Sequence, residues 1–185
     1  CVTAPVEGEG PFCLDMATTT ITWNKVKMHR ERNAPLAPGL AADGKGESTT
    51  DPHIAESLFP IGGYKGFGLG MVVDILCGLM SGMPFGREIT SMYQTPLDQK
   101  RYLGQFYMAL DISKFQDTKL FKSRLKKYMD EIRREPAKDP SNPIQVPGDP
   151  EKKAFIQRTR EGVPLAPAEY VAIQETCRAL SVKFP

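Results

Sequence analysis

The chain has 185 residues, of which 41% are hydrophobic and 25% are charged, and its formal net charge at pH 7 is +2. This length fits one domain, or one domain and part of a second, and the composition is ordinary for a soluble globular protein. The small net charge argues neither for nor against an anionic partner. Four cysteines lack paired spacing, which argues against a metal site or a disulfide framework and favours free thiols in a reducing cytoplasm, although four cysteines leave a disulfide open: Cys1, Cys13, Cys77 and Cys177.

The first 50 residues predict a strand, a helix and a long loop. Phe12–Leu14 reads as a short buried strand that ends at Asp15. Residues 18–20 are threonines that predict the cap of a helix running toward Arg32, so the turn between strand and helix is a possible anion site. Residues 34–50 are rich in Pro, Gly, Ala and Ser without periodicity, which predicts a surface loop.

A glycine-rich segment then leads into an apolar helix. Residues 51–52, Asp-Pro, predict the start of a short helix before it. In the segment itself, Gly62, Gly63 and Gly66 allow the backbone to turn sharply and to approach a bound group. A helix that begins near Lys65 offers free N–H donors and a positive dipole end, and the lysine adds a full charge. The spacing fits neither a nucleotide triphosphatase loop nor a dinucleotide fingerprint, and a glycine turn feeding a core helix explains it equally well.

Residues 67–83 are almost free of polar groups, so this stretch could be a membrane-spanning helix. Asp74 argues against that interpretation, because a carboxylate there would cost about 2.5–3.5 kcal/mol. We expect instead a buried helix over residues 66–83, with a polar partner or a solvent-filled edge at Asp74. Two glycine pairs would let a neighbour pack closely: Gly66 with Gly70, and Gly78 with Gly82.

The second half of the chain is mainly helical. Residues 105–110 predict a strand, and residues 117–134 predict the clearest amphipathic helix, with Pro136 after its end. A proline-rich connector over 136–150 leads to helices near 151–160 and 167–181. The expected fold is α/β, and its sheet needs residues outside this sequence. The apolar face of the amphipathic helix contains Leu120, Phe121, Leu125, Tyr128, Met129 and Ile132, of which we expect Leu120, Phe121, Leu125 and Tyr128 to pack onto the sheet.

Four blocks resemble, in order and spacing, the malate/L-lactate/sulfolactate dehydrogenase family. Its members include ureidoglycolate dehydrogenases and 2,3-diketogulonate reductase, and it is unrelated in fold to the ordinary lactate and malate dehydrogenases. The resemblance covers roughly residues 4–180 and places this chain in the C-terminal half of the family. The blocks are Leu-Asp-Met-Ala-Thr-Thr at 14–19, Thr-Thr-Asp-Pro at 49–52, the glycine loop at 62–69 and Pro-Gly-Asp-Pro-Glu at 147–151, while residues 83–87 and 91–93 look most like the ureidoglycolate branch.

The resemblance implies a cytoplasmic, homodimeric oxidoreductase that moves a hydride between NAD or NADP and a 2-hydroxy or 2-oxo acid. It favours ureidoglycolate or malate within the malate, lactate, sulfolactate and ureidoglycolate class, and it implies a mixed-sheet cofactor-binding domain of the sulfolactate dehydrogenase-like type. No metal, nucleic acid or membrane is expected as a partner. In the family, backbone cradles the cofactor at three places, which match Asp15, Met16, Ala17 and Thr18, then Lys65 and Gly66, and finally Gly148, Asp149 and Pro150.

The family's proton-donating histidine and substrate-binding arginine lie in its N-terminal half and have no match here. We therefore expect an N-terminal part to be missing, in line with a chain that opens with Cys1 and shows no signal peptide. His29 and His53 match no family catalytic position, so no catalytic residue is assigned. The expected division is a partial cofactor-binding domain over 1–135, followed over 136–185 by a connector and C-terminal helices that complete the family's other domain.

Two alternatives remain open. Residues 114–160 hold thirteen Lys or Arg and seven Asp or Glu, so a basic helix face could bind nucleic acid or an acidic protein. Interleaved acidic residues and the lack of stacking aromatics argue against this binding module. The other alternative is an inactive fragment without catalysis. Cofactor binding, compared with a salt-dependent nucleic-acid titration, discriminates between the enzyme and the binding module.

Overall fold

A computed structural model describes residues 1–92, 95–96 and 98–184, apart from the side chain of Ala168. Tyr93, in one of the segments that resemble the ureidoglycolate branch, lies outside the described residues. By internal contacts the chain forms two compact units: a terminal unit, Cys1–Asp15 with the chain from Ile112 onward, and a middle unit, Met16–Asp111. The strands are β1 (Val2–Ala4), β2 (Phe12–Leu14), β3 (Ala41–Ala42), β4 (Ser48–Thr49) and β5 (Ser57–Leu58), and the helices are α1 (Trp23–Glu31), α2 (Tyr64–Asp74), α3 (Thr118–Arg134), α4 (Asp149–Glu161) and α5 (Pro167–Ala179).

The terminal unit is built on a β-hairpin and the amphipathic helix α3. β1 and β2 pair antiparallel, with Thr3 opposite Cys13. The side chain of Asp117 accepts the N–H of Leu120 at 2.8 Å and so caps α3, a helix that the sequence predicts over residues 117–134. Its apolar stripe buries Met129 in a core that also contains Val6 and Val146.

The expected packing of α3 on the sheet is met in part. Leu125 packs against the core cluster of Val6, Met129 and Val146, against which Phe12 of β2 also packs. Phe121 is half-buried. The expectation is wrong for Leu120 and Tyr128, which are 51% and 62% exposed, because a hairpin with two three-residue strands is too small to cover the whole stripe.

The middle unit places α1 against a small antiparallel sheet with the strand order β4-β3-β5. Val26 of α1 is fully buried among Leu36, Ala41 and Ala55. The guanidinium of Arg30 donates to the carbonyl oxygens of Pro52 and Ala55 and thereby ties the loop before β5 to α1. The described residues combine helices with small sheets, which confirms the α/β class in that general sense. The strand pairs in both units are antiparallel, so the mixed sheet stays a prediction.

Three local expectations are wrong. Residues 34–50 are not only a surface loop, because they contain β3 and β4, whose two-residue length leaves no periodicity to detect. No helix begins at residues 51–52, where Asp51 accepts the N–H of His53 at 2.8 Å in a tight turn. Residues 105–110 form no strand, because the described residues provide no strand that pairs with them.

Helix α2 begins at Tyr64, next to the predicted start at Lys65, and continues into a π-helical turn over Ile75–Leu79. The expectation that this helix is buried is wrong, since Phe67 and Met71 are 63% and 52% exposed. Apolar composition shows that a helix favours a covering surface but does not show that the same chain provides one. The polar partner expected for Asp74 is confirmed, because its carboxylate accepts the N–H of Gly86 at 3.1 Å.

In the part of the chain that the structure describes, no helix has the length and apolarity needed to cross a membrane. Along the chain, the boundaries between the two compact units fall at residues 15–16 and 111–112. The division expected from the sequence falls at 135–136. The structural units are defined by contacts, and the expected division concerns the domains of the longer family members. That functional division stays a prediction.

Candidate functional site

The glycine turn before α2, Gly62–Gly63, has the geometry that the sequence predicts. Gly62 and Gly63 have φ values of 59° and 63°, in the left-handed region that favours glycine. A Cβ on Gly66 would lie 1.9 Å from the carbonyl oxygen of Ile61. Any side chain at that position would therefore displace the turn from the helix, so the close approach requires glycine.

The first turn of α2 presents unused hydrogen-bond donors. The first N–H groups of a helix have no acceptor within the helix, and Gly63 at the cap has no side chain that could provide one. Phe67 is the first residue whose N–H reaches back to Gly63, at 3.0 Å. The backbone N–H groups of Tyr64, Lys65 and Gly66 therefore remain for a ligand that accepts hydrogen bonds.

Lys65 is exposed at this helix start, and among the residues that the structure describes it forms no ion pair. The positive end of the helix dipole and the lysine ammonium have the same sign and lie at the same turn. No acidic residue occupies the first turn of α2. The local field therefore favours an anion, such as a phosphate group.

The second predicted segment, Met16–Thr18, lies beside the first within the middle unit. The carbonyl oxygen of Thr18 accepts the N–H of Ile61 at 3.0 Å, and Thr20 donates its N–H to Phe59 at 2.9 Å. A Cβ on Gly70 would lie 3.4 Å from the hydroxyl of Thr18, so α2 passes close to this segment. The fold thus brings Thr18 to the strand-like segment that leads into the glycine turn.

The predicted cap of the following helix is shifted. Thr22, rather than residues 18–20, is the N-cap of α1, and its hydroxyl accepts the N–H of Lys25 at 3.4 Å. The threonines before it pair with residues 59–61 instead. Met16 and Ala17 are exposed, so this segment can offer backbone groups to a ligand but not the dipole of a helix start.

The third predicted block, Gly148–Asp149–Pro150, lies in the terminal unit and forms the start of α4. Gly148 has a φ of 98°, and a Cβ there would lie 3.3 Å from both the N of Cys13 and the O of Pro11. Pro150 occupies the first turn of the helix, where it needs no N–H. An apolar groove of about 560 Å³ runs beside Gly148, with Phe155 on its wall.

Both oxygens of the Asp149 carboxylate accept hydrogen bonds from neighbouring residues. The guanidinium of Arg133 donates to Asp149 at 2.6 and 2.9 Å and to Glu9 at 2.9 and 3.0 Å. Lys152 donates to Glu9 at 2.9 Å. The hydrogen bond from Arg133 lowers the pKa of Glu9 to about 2 and also holds the pKa of Asp149 below its usual value, while Asp149 and Glu9 raise the pKa of Arg133. A ligand at this block would therefore contact backbone rather than the Asp149 carboxylate.

Asp15 ends the terminal unit's hairpin, and its side chain is 79% exposed. The two histidines belong to none of the three predicted segments. His29 contacts the carbonyl oxygen of Ala34 at 3.3 Å, and His53 contacts the side-chain oxygen of Asn33 at 3.3 Å. Among the described residues, no group of three or more His, Cys, Asp or Glu could hold a metal ion.

Sequence patterns did not reveal the ion-pair cluster around Arg133. Glu9 and Arg133 lie 124 positions apart, so no local spacing could connect them. The i,i+3 pair of Asp130 and Arg133 is visible on the predicted helix, but it does not identify Glu9 as the third partner. Long-range ion pairs depend on tertiary structure.

Comparison with known families matches residues 1–174 to the family model described as malate/L-lactate dehydrogenase. A ureidoglycolate dehydrogenase (NAD(+)) of Escherichia coli O157:H7 is 36% identical over 162 residues, which are 88% of this chain and 46% of the relative. A malate dehydrogenase of Pyrococcus abyssi is 28% identical over 190 residues, covering 97% of this chain and 51% of the relative. The chain spans about half the length of the curated relatives it matches.

Solved structures show a similar fold. A malate dehydrogenase from Entamoeba histolytica superposes with a TM-score of 0.87 at 21% identity, covering 99% of this chain and 54% of that one. A sulfolactate dehydrogenase from Methanocaldococcus jannaschii gives a TM-score of 0.82 at 24% identity, with 98% and 52% covered. At these identities the likeness shows the fold alone.

Proposed function

This chain belongs to the malate/L-lactate dehydrogenase family, and we propose that it is the cofactor-binding part of an oxidoreductase that transfers a hydride between NAD or NADP and a 2-hydroxy or 2-oxo acid. The proposal is supported by relatives that are named dehydrogenases of malate, sulfolactate and ureidoglycolate. Ureidoglycolate or malate is the favoured substrate. Relatives named for NAD and for NADP both occur, so the proposal includes either cofactor.

The observation that carries the proposal is the start of α2. It combines a left-handed glycine turn with backbone donors and an exposed Lys65 for which the described part of the chain provides no acceptor or ion-pair partner. A pyrophosphate is a dianion whose oxygens accept such donors, and a nearby ammonium adds a charge-assisted hydrogen bond. The neighbouring segment around Thr18 adds further backbone groups. These features bind and orient a cofactor, whereas the cofactor itself supplies the hydride chemistry.

The acid that protonates the forming alkoxide is not assigned to this chain. A general acid must reach the reacting oxygen, and histidine has a suitable pKa near neutrality. His29 is half-buried and His53 is exposed, and both contact residues of the turn that follows α1. We therefore expect the 185-residue chain alone not to turn over a 2-hydroxy or 2-oxo acid, and homodimer formation stays a prediction.

The basic-helix alternative receives less support from the structure. Lys126 and Arg133 of α3 form ion pairs with Asp130. Arg133 also forms ion pairs with Glu9 and Asp149. Lys127 lies 3.8 Å from Glu131. Ion pairs with neighbouring carboxylates reduce the positive field that a nucleic acid would meet.

Titration with NADH and NADPH, followed by nicotinamide fluorescence, tests the proposal. The wild-type chain is compared with Lys65→Ala and with Lys45→Ala, a matched control that removes an equally exposed lysine from the turn between β3 and β4. A charge-assisted contact to phosphate is worth about 1.5–3 kcal/mol, so Lys65→Ala should weaken binding at least tenfold. Lys45→Ala should leave it unchanged.

Circular dichroism of each variant shows whether the fold is retained. Equal affinities of wild type and Lys65→Ala would contradict the role of Lys65. An absence of binding by folded wild-type chain to both nicotinamides would contradict the proposed function of the chain. A salt-dependent titration with a short DNA duplex separates the outcomes further, because the binding-module alternative requires binding there.

A further inference from the structure

Two cysteines meet across the β1–β2 hairpin. The sulfur of Cys1 lies 3.8 Å from the sulfur of Cys13, although both thiols are free. The spacing of twelve residues gives no motif, but Gly8, Gly10 and Pro11 between them form the turn that folds the two cysteines together. This juxtaposition is not used by the proposed function.

The register of the hairpin explains the contact. Thr3 is opposite Cys13 and Val2 is opposite Leu14, so Cys1 and Cys13 are diagonal neighbours on the same face of the ladder. A disulfide needs its sulfurs at about 2.05 Å, so closure requires an approach of about 1.8 Å. The side chain of Cys1 is exposed, so rotation about its side-chain torsion angles can contribute to that approach.

Oxidants can reach both sulfurs. Cys1 is exposed, and Cys13, which is half-buried, lines the apolar groove beside Gly148. Cys13 is also held in place, because its N–H donates to the carbonyl oxygen of Pro147 at 3.3 Å. The pair therefore consists of one exposed thiol and one half-buried thiol, an arrangement in which the first can be oxidised and the second can resolve it.

We propose that Cys1 and Cys13 form a reversible disulfide, a redox modification site on the hairpin that packs against the start of α4. With hydrogen peroxide as the oxidant, one thiolate attacks the peroxide to give a sulfenic acid and the second thiol displaces water from it. The sum converts two thiols and one peroxide into one disulfide and two waters. A dithiol reductant reverses the step by thiol–disulfide exchange.

The disulfide would constrain the β1–β2 hairpin, which is already held by the contact of Cys13 with the turn before α4. Closing a loop of this length limits the unfolded chain, so the oxidised form should melt about 5 °C higher than the reduced form. Cys13 contacts the backbone of Gly148, since a Cβ on that glycine would lie 3.3 Å from the N of Cys13. The disulfide therefore stiffens the support of this turn.

Oxidation of the 185-residue chain by stoichiometric hydrogen peroxide at low protein concentration tests the proposal. Thiols are titrated in denaturant before and after oxidation, and the expected count falls from four to two. Cleavage after glutamate cuts at Glu7 and Glu9, between the two cysteines. Mass spectrometry should therefore find peptide 1–7 joined to the peptide that contains Cys13, until dithiothreitol separates them.

Two variants control for the other cysteines. The double variant Cys77→Ser/Cys177→Ser retains the pair and should lose both of its remaining thiols. Cys1→Ser changes an exposed residue. On oxidation this variant should lose none of its three remaining thiols, and its melting temperature should not change. Cross-links to Cys77 or Cys177, disulfide-linked dimers, or sulfinic acids without a 1–13 linkage in the wild type would each overturn the proposal.

Discussion

The glycine turn before α2 and the start of α4 are both helix N-termini introduced by a left-handed glycine, yet their polar groups are used differently. At α2, the backbone donors have no cap and Lys65 is exposed. At α4, Asp149 accepts the N–H of Val146 and two hydrogen bonds from Arg133. Donors and acceptors that are already paired within the protein stabilise the fold, whereas exposed donors without a protein acceptor remain available to a ligand. The proposed recognition therefore rests mainly on the first helix start, whereas the side chains at the second are used in the fold and leave only backbone for a ligand.

Gly66→Ala should have the largest effect and would test whether the α2 turn depends on close packing. The new Cβ would lie 1.9 Å from the carbonyl oxygen of Ile61, so the turn must shift. We expect a loss of about 3 kcal/mol in the free energy of unfolding, measured by urea denaturation. Gly68→Ala is the matched control, because nothing lies within 4 Å of its Cβ and alanine favours the helix by about 0.5–1 kcal/mol. Similar losses in both variants would contradict the contact.

Arg133→Ala should have the next largest effect and tests whether the α4 start is structural. The variant leaves Glu9 and Asp149 without their main partner, so we expect a loss of about 2 kcal/mol in the free energy of unfolding. Arg134→Ala is the control, since it removes an exposed arginine from the same helix end and should change stability by less than about 0.5 kcal/mol. An Arg133→Ala loss no larger than that of the control would show that the cluster adds no stability.

Glu9→Gln should make the terminal unit's stability less dependent on acid. The pKa of Glu9 is lowered from 4.5 to about 2, chiefly by the hydrogen bond from Arg133, so its stabilising contribution is complete above pH 4.5 and disappears as the pH falls toward 2. The variant should therefore be less stable than wild type by about 1 kcal/mol at pH 7, with the difference vanishing near pH 2. Chemical denaturation at several pH values measures both curves. Glu7→Gln, at an exposed position, should follow wild type, and a constant deficit for Glu9→Gln would refute the linkage.

Asp15→Ala should have the smallest effect and separates backbone from side-chain recognition. The family resemblance implies that backbone around this turn contacts the cofactor, and the Asp15 side chain is 79% exposed. We expect stability within about 0.5 kcal/mol of wild type and an affinity for NADH that is unchanged within the error of the fluorescence titration. A tenfold loss of affinity would assign the contact to the carboxylate instead.

Local sequence patterns predicted those elements whose residue pattern is visible within a few turns or residues of the chain. Apolar residues and glycine placement predicted the strand Phe12–Leu14, the start of α2 and the long helix α3, although the expected burial of the strand is wrong because its residues are half-buried or exposed. The short strands β3 and β4 were missed because two-residue strands have no period, and a strand was wrongly predicted at 105–110 because an apolar run does not show whether a pairing partner exists.

For the candidate site, residue types were enough to identify the family, to propose an anion site at the glycine turn and to predict glycine at Gly62 and Gly63, whose backbone conformations only glycine adopts readily. The folded chain was needed to show that Thr18 lies beside the segment leading to this turn, that Asp149 binds Arg133, and that the sulfurs of Cys1 and Cys13 are neighbours. These contacts join residues far apart in the chain or across a turn, and their energies depend on distances that no local pattern records.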